Sequence, residues 1–182
     1  VREAFLRYEQ LTGYLRYIAG DQGIMGITRV SRRIDDPKET ISFGLEPDQQ
    51  ILSDQASYGL WGLYSSAMRD TQLVVGDNRL PTALGLEIAA QIERRLDKDA
   101  MIRLLRSKRK IRRDDLASFA KPFRSAIAQK KIRAQLLHAL MNGNPNKLIQ
   151  QEMWRVTQVL AESDSRIYGI EDFIRRVKRK TR

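Results

Sequence analysis

The single histidine of this chain, His138, stands five residues after Arg133, and acid–base chemistry on an anionic substrate has to be sought there first. An imidazole exchanges a proton near neutral pH, and a guanidinium can hold the charge that develops on a phosphate. With one histidine and no cysteine, a thiolate or multi-histidine metal site cannot form within one chain. A Ser/His/Asp triad has one possible base, and no nearby serine offers itself as its nucleophile. Asp114, Asp115, Glu171 and Asp172 fall at expected helix starts, where the positive end of the helix dipole favours acids without any catalytic reason. Gly20, Gly23 and Gly26 are spaced G-x-x-G-x-x-G, which matches neither the dinucleotide fingerprint nor a phosphate loop and reads as a closely packed helix connection. No catalytic residue, metal or cofactor is assigned.

Charge is the stronger signal. Residues 1–96 hold 11 Lys+Arg against 13 Asp+Glu, net −2, whereas residues 97–182 hold 22 against 9, net +13, together giving the +11 of the whole chain. Two acid-free runs dominate: Arg103, Arg106, Lys108, Arg109, Lys110, Arg112 and Arg113, then Arg175, Arg176, Lys178, Arg179, Lys180 and Arg182. Between them lie Lys121, Arg124, Lys130, Lys131 and Arg133. Like charges gathered this way repel one another until counterions or a polyanion screen them, and phosphate backbones are the commonest intracellular polyanion. Both runs are therefore assigned to nucleic-acid binding, DNA or RNA. The alternative is a helical scaffold whose basic face meets an acidic protein.

The elements that must position these cations are mostly helices. A hydrophobic fraction of 42% is enough for a core, and 182 residues suit one domain or two small subdomains. No apolar run approaches the ~20 residues that span a bilayer, so no membrane partner is expected, and the lack of cysteine fits the reducing cytoplasm. The chain opens on Val1 and reads as a piece of a longer protein or complex, with a protein partner or the rest of that chain beside it. Phe5, Tyr8, Leu11, Leu15 and Ile18 give the first helix, over 2–19, one apolar stripe. A short helix carries Ile27, Val30 and Ile34 up to Pro37, and residues 40–44 read as a short extended piece. After a helical turn at 48–55, a helix is predicted over 57–70, then a hairpin from Leu73 to Leu80 turning at Gly76-Asp77-Asn78, then a helix over 82–96.

Beyond residue 96 the pattern is helix after helix. Asp99 is placed to cap one helix, and Asp114 or Asp115 another that precedes Pro122. Residues 124–141 and a helix carrying Ile149, Met153, Val156 and Leu160 form a predicted αα-hairpin about Asn142-Gly143 and Asn144-Pro145, and a last helix covers 168–180.

The stretch from Leu73 through Gly76, Asp77 and Asn78 to Leu80, Pro81, Thr82 and Gly85 resembles the wing and following helix of winged helix-turn-helix domains, over roughly residues 46–96. The order Leu-Pro-Thr departs from the common form of that family. Residues 45–96 hold four basic residues against seven acids, so the resemblance implies a segment that packs against protein rather than one that reads DNA alone. The Arg133 to His138 spacing is also similar to the motif of the helical ribonucleases called HEPN domains, with Ala134 where that family carries a polar residue. That resemblance implies His138 as acid or base and Arg133 as the stabiliser of phosphate charge. On a regular helix, five steps of ~100° leave the two side chains about 140° apart, so a partly buried, packing histidine is the expected role.

The fold expected is mainly α, with a winged-helix-like N-terminal subdomain (1–96) carrying one small β-hairpin, followed by a basic helical bundle (97–182). Its expected function is association with nucleic acid along the phosphate backbone, with weak sequence preference.

Overall fold

A computed structural model of the chain describes residues 1–36, 40–107, 110–144, 147–163 and 169–180. The described elements run α1 (Arg2–Ile18), α2 (Ile27–Asp35), α3 (Gln55–Tyr58), α4 (Ser65–Asp70), β1 (Val74–Val75), β2 (Leu80–Pro81), α5 (Ala83–Glu93), α6 (Lys98–Arg106), α7 (Arg113–Ile127), α8 (Lys130–Asn142), α9 (Leu148–Ser163) and α10 (Ile170–Lys180). The protein is mainly helical, with one small antiparallel hairpin, as its sequence predicts.

Helix α1 is the hub. It packs against α2, α6 and α7, and Leu11, Tyr14 and Leu15 lose all contact with solvent. They join Val30 and Ile34 of α2, Ile41 and Ile51 of the following loop, and Met101, Leu104, Ile111, Leu116 and Phe123 in one apolar cluster that draws on both sides of residue 96. Each such side chain contributes about 1.5–3 kcal/mol by leaving water. Burial on α1 is wider than the single stripe expected. Tyr8 stays exposed, while Glu9 and Gln10 are buried, because the 44–60 segment covers a flank that the apolar pattern leaves out.

That covering works through amides. Gln10 Nε2 donates to the Gly44 carbonyl at 2.8 Å, and its Oε1 accepts from the Gly44 amide at 3.0 Å. Gln55, also fully buried, donates to the Leu6 carbonyl (2.8 Å) and to Glu9 Oε2 (3.0 Å), and accepts from the Ile51 amide (3.1 Å). Glu9 Oε1 accepts from the Leu60 amide at 3.0 Å. A buried polar network is tolerable only when its members are satisfied, and no described buried side-chain polar atom lacks a partner. The helix predicted over 57–70 is divided by this contact. Its first part is α3, its second α4, and between them Gly59 lies so close to the Glu9 carboxylate and the Gln55 carbonyl that a Cβ would collide with both.

The hairpin forms as predicted, with Val74 opposite Pro81 and Val75 opposite Leu80. Gly76 and Arg79 take positive φ (69° and 51°), as a tight reversal requires. Thr82 then caps α5 by accepting from the Gly85 amide at 3.2 Å.

Further boundaries differ from expectation: the helix expected over 124–141 begins at Lys130, and Arg112 rather than Asp114 or Asp115 is the N-cap of α7, with Asp115 accepting from the Arg112 amide at 3.0 Å. Asp97, rather than Asp99, caps α6, accepting from the Ala100 amide at 2.9 Å. Pro122 does not end a helix. α7 continues to Ile127, because Pro122 and the residue four before it, Ser118, both face water, where an unpaired carbonyl can be hydrated. The α8–α9 connection is packed closely: a Cβ on Gly143 would strike Thr71, which follows α4. Of its predicted turn residues, Pro145 lies outside the described residues. α9 then packs on α8, and α10 on α9, and Val156 and Leu160 of α9 are buried. No helix among the described residues is long and apolar enough to cross a membrane.

Candidate nucleic-acid interface

The first basic run is divided between two supports. On α6, Met101 and Leu104 point into the core, which turns Arg103 and Arg106 outward. Arg106 borders an open cavity of about 540 Å³ shared with Val1, Glu3 and Arg7 at the start of α1. Past α6, Ile111 forms an isolated antiparallel bridge with Ile41, its amide donating to the Ile41 carbonyl at 2.7 Å and its carbonyl accepting from the Ile41 amide at 2.8 Å. Ile111 is fully buried, so the alternation of an extended chain sends its neighbours Lys110 and Arg112 to the surface. Arg113 opens α7 and approaches Asp35 at 3.9 Å, with both side chains half exposed. Lys108 and Arg109 lie outside the described residues, as does Arg182 of the second run.

The Ile41–Ile111 bridge adds a cation that the sequence analysis leaves out. Lys110 shares a cleft of about 370 Å³ with Arg32 and Arg33 of α2. Arg32 is exposed and makes no ion pair with a described residue, and its signal is hidden in the sequence because it belongs to the acid-balanced half. The extended piece expected at 40–44 was the available clue, since a lone strand needs a partner. Acids temper the neighbouring notch of about 130 Å³, where Asp35, Asp36 and Asp114 stand with Arg112 and Arg113. Tyr17 Oη donates to this Asp35 at 2.6 Å, and that hydrogen bond holds the phenol above its ordinary pKa.

The second run lies on α10, a separate support. Arg175, Lys178 and Arg179 are exposed, whereas Arg176 pairs with Asp172 at 3.2 Å; the helix runs to Lys180. Residues three and four apart share a helix face, so the exposed cations form one strip. Between the runs, Lys121, Lys130, Lys131 and Arg133 are exposed. Arg124 is engaged: it binds Asp21 at 2.9 Å and the Ala19 carbonyl at 3.1 Å, tying α7 to the end of α1.

The hairpin region offers little to phosphate. Arg79 lies 3.5 Å from the centre of the Trp61 ring, donates to Ser65 Oγ at 2.6 Å and to the Trp61 carbonyl at 3.1 Å, and also bonds the Asp77 carbonyl. Arg69 faces Asp77 at 3.6 Å.

His138 is exposed on α8, not partly buried as expected, because Ile132 and Ala139 form the inward side of that helix. Its Nδ1 lies 3.3 Å from the Asn142 amide nitrogen. Arg133 is exposed on the same regular helix and makes no hydrogen bond to His138. Among the described residues no three His, Asp or Glu side chains gather as a metal site would need. Compared with protein-family models, with curated proteins and with solved structures, the chain gives no match.

Proposed function

We propose that this chain is a nucleic-acid-associating helical module of a larger protein or complex, acting in the cytoplasm and holding DNA or RNA by the phosphate backbone with little sequence preference. The observation that carries this reading is that Arg103, Arg106, Lys110, Arg112, Arg175 and Arg179 are exposed and make no ion pair with a described residue. Unpaired surface cations attract a polyanion, and each phosphate they neutralise releases condensed counterion. Long, flexible cations on helix faces respond to charge rather than to the donor and acceptor pattern of bases, hence the weak sequence preference. The 46–96 segment, read as winged-helix-like, faces protein in this arrangement, since Arg79 and Arg69 are both engaged. Residues 97–182 are the basic subdomain.

The test is a titration with duplex DNA and with single-stranded RNA at several salt concentrations. Binding should weaken with a log–log slope of roughly 0.9 per phosphate contact on the duplex, and unrelated sequences should bind alike. Combining Lys110→Glu and Arg112→Glu with Arg175→Glu and Arg179→Glu should weaken binding at least tenfold and flatten that slope. Arg112→Glu places an acid at a helix start, where the dipole tolerates it. Binding indifferent to all four reversals overturns the proposal. Negligible binding of both nucleic acids at near-physiological salt, with capture of an acidic protein that the same reversals abolish, replaces it with the scaffold reading.

A further inference from the structure

Three segments from distant parts of the chain converge on one cleft of about 370 Å³. α2 brings Arg32 and Arg33, the extended piece after it brings Thr40 and Ser42, and the stretch before α7 brings Lys110. The antiparallel bridge between Ile41 and Ile111 sets their relation. Both isoleucines are buried in the core, so the residues flanking them share the opposite face, with Ser42 across from Lys110. Ser42 Oγ accepts from Gln49 Nε2 at 3.2 Å, which leaves its own proton to donate elsewhere. Arg33 supplies a fixed charge: Tyr14 Oη and the carbonyls of Gln49 and Gln50 hold its guanidinium in place. Arg32 and Lys110 are exposed, and the side chain of neither makes an ion pair or hydrogen bond with a described residue.

We propose that this cleft binds a phosphate monoester, the group that ends a nucleic-acid strand or a free nucleotide, through Arg32, Lys110 and the Ser42 hydroxyl. Arrangement is the first reason. A backbone phosphate is met by cations strung along a face, as on α10, whereas here the donors surround a hollow. Charge is the second. A monoester carries about −1.5 to −2 charges and three free oxygens at neutral pH, and a phosphate within a strand carries one charge. Three cations around the cleft against one acid, Asp48, match the more highly charged group. A guanidinium fork, an ammonium and a hydroxyl together can donate to all three oxygens. Asp48 also repels any second phosphate, so the cleft takes one phosphate and not a polyphosphate. Size is the third reason: the cleft falls within the ~300–1,000 Å³ of small-molecule sites, room for a phosphate together with its sugar. In its strand-end form this inference rests on the nucleic-acid reading above; for a free nucleotide it stands apart from it.

The test compares short single strands of one sequence that end in a 5′-phosphate, in a 3′-phosphate, or in hydroxyls at both ends, at one salt concentration. Uridine 5′-monophosphate and uridine are titrated separately by calorimetry. A phosphate-ended strand should bind about tenfold more tightly than the hydroxyl-ended one. Arg32→Ala should erase that advantage while leaving the hydroxyl-ended strand unaffected, because Arg32 belongs to neither basic run. Arg32→Lys, which keeps the charge and loses the fork, should restore part of it. Arg32 is exposed, so both variants should keep the circular dichroism spectrum of the wild type. Saturable binding of the monophosphate but not of uridine, lost in Arg32→Ala, with no strand bound, assigns the cleft to a free nucleotide and overturns the nucleic-acid reading alone. No preference for a phosphate end, together with no binding of the monophosphate, overturns this proposal and leaves the backbone reading intact wherever the strands still bind. An advantage that survives Arg32→Ala overturns it as well.

Discussion

Arg33 and Lys110 line one cleft, and they use their charge in opposite ways. Arg33 turns inward, donating to Tyr14 Oη at 2.8 Å, to the carbonyls of Gln49 and Gln50 at 3.2 Å, and to that of Asp48. Lys110 faces solvent and makes no ion pair with a described residue. The contrast extends to the two halves. Arg7 holds the Leu105 carbonyl at 2.9 Å, Arg29 that of Leu52 at 2.8 Å, Arg16 the Asp21 carboxylate at 3.0 Å, and Arg79 is fixed on Trp61. In the second half, Arg103, Arg106, Lys110, Arg112, Lys121, Lys130, Lys131 and Arg133 are exposed without an ion pair to a described residue. A planar guanidinium with five donors can satisfy several loop carbonyls at once, so the loop-rich first half uses arginine as a fastener. The helix-rich second half satisfies its own backbone and leaves these cations at the surface, although Arg124 fastens α7 to the end of α1.

Deleting a fastener from the first half should therefore cost far more stability than deleting a surface cation. The largest loss is expected at Gln55→Leu, which orphans the Ile51 amide and strips donors from Glu9 and the Leu6 carbonyl; urea unfolding should show a loss of about 3–5 kcal/mol. Next comes the pair that defines the contrast. Arg33→Ala should cost about 2–3 kcal/mol, while Lys110→Ala should stay within about 0.5 kcal/mol of wild type. Equal losses at these two sites would break the comparison.

A smaller effect tests the buried network by pH. Burial raises the pKa of Glu9 above its ordinary value of 4.5, opposed in part by the bonds from Gln55 and the Leu60 amide. The folded state then holds the proton more tightly than the unfolded chain, so this group favours folding most below pH 4.5, and its contribution declines as pH rises through the raised pKa. Glu9→Gln should flatten the fall in stability across that window. A wild-type profile that rises through the same window, with the variant rising in parallel, would remove Glu9 as its source.

Much of the fold was legible in the sequence because its signals are local. Helical spacing gave the helical content of the second half though not the break between α7 and α8, Gly76-Asp77-Asn78 gave the hairpin turn, and Thr82 a helix start. The errors fall where a distant residue overrules a local pattern. Residues 57–70 have the spacing of one helix, yet Gly59 lies against Glu9, far away along the chain, and the helix divides there. Pro122 reads as a stop, but its effect depends on whether Ser118 faces water.

What the sequence determined alone is the sum and placement of charge along the chain, the helical content and the hairpin, since each depends on residues within a few positions of one another. Tertiary structure decided which cations are available. Nothing in the composition of α2 separates Arg33, engaged by a loop, from its neighbour Arg32, which stays exposed, and nothing near Lys110 shows that pairing of Ile41 with Ile111 brings it beside both. The same holds for α9, whose apolar spacing is uniform in sequence although Val156 and Leu160 are buried while Ile149 and Met153 are exposed. Exposure belongs to the packed whole, because water is excluded by neighbours that the chain brings from far away.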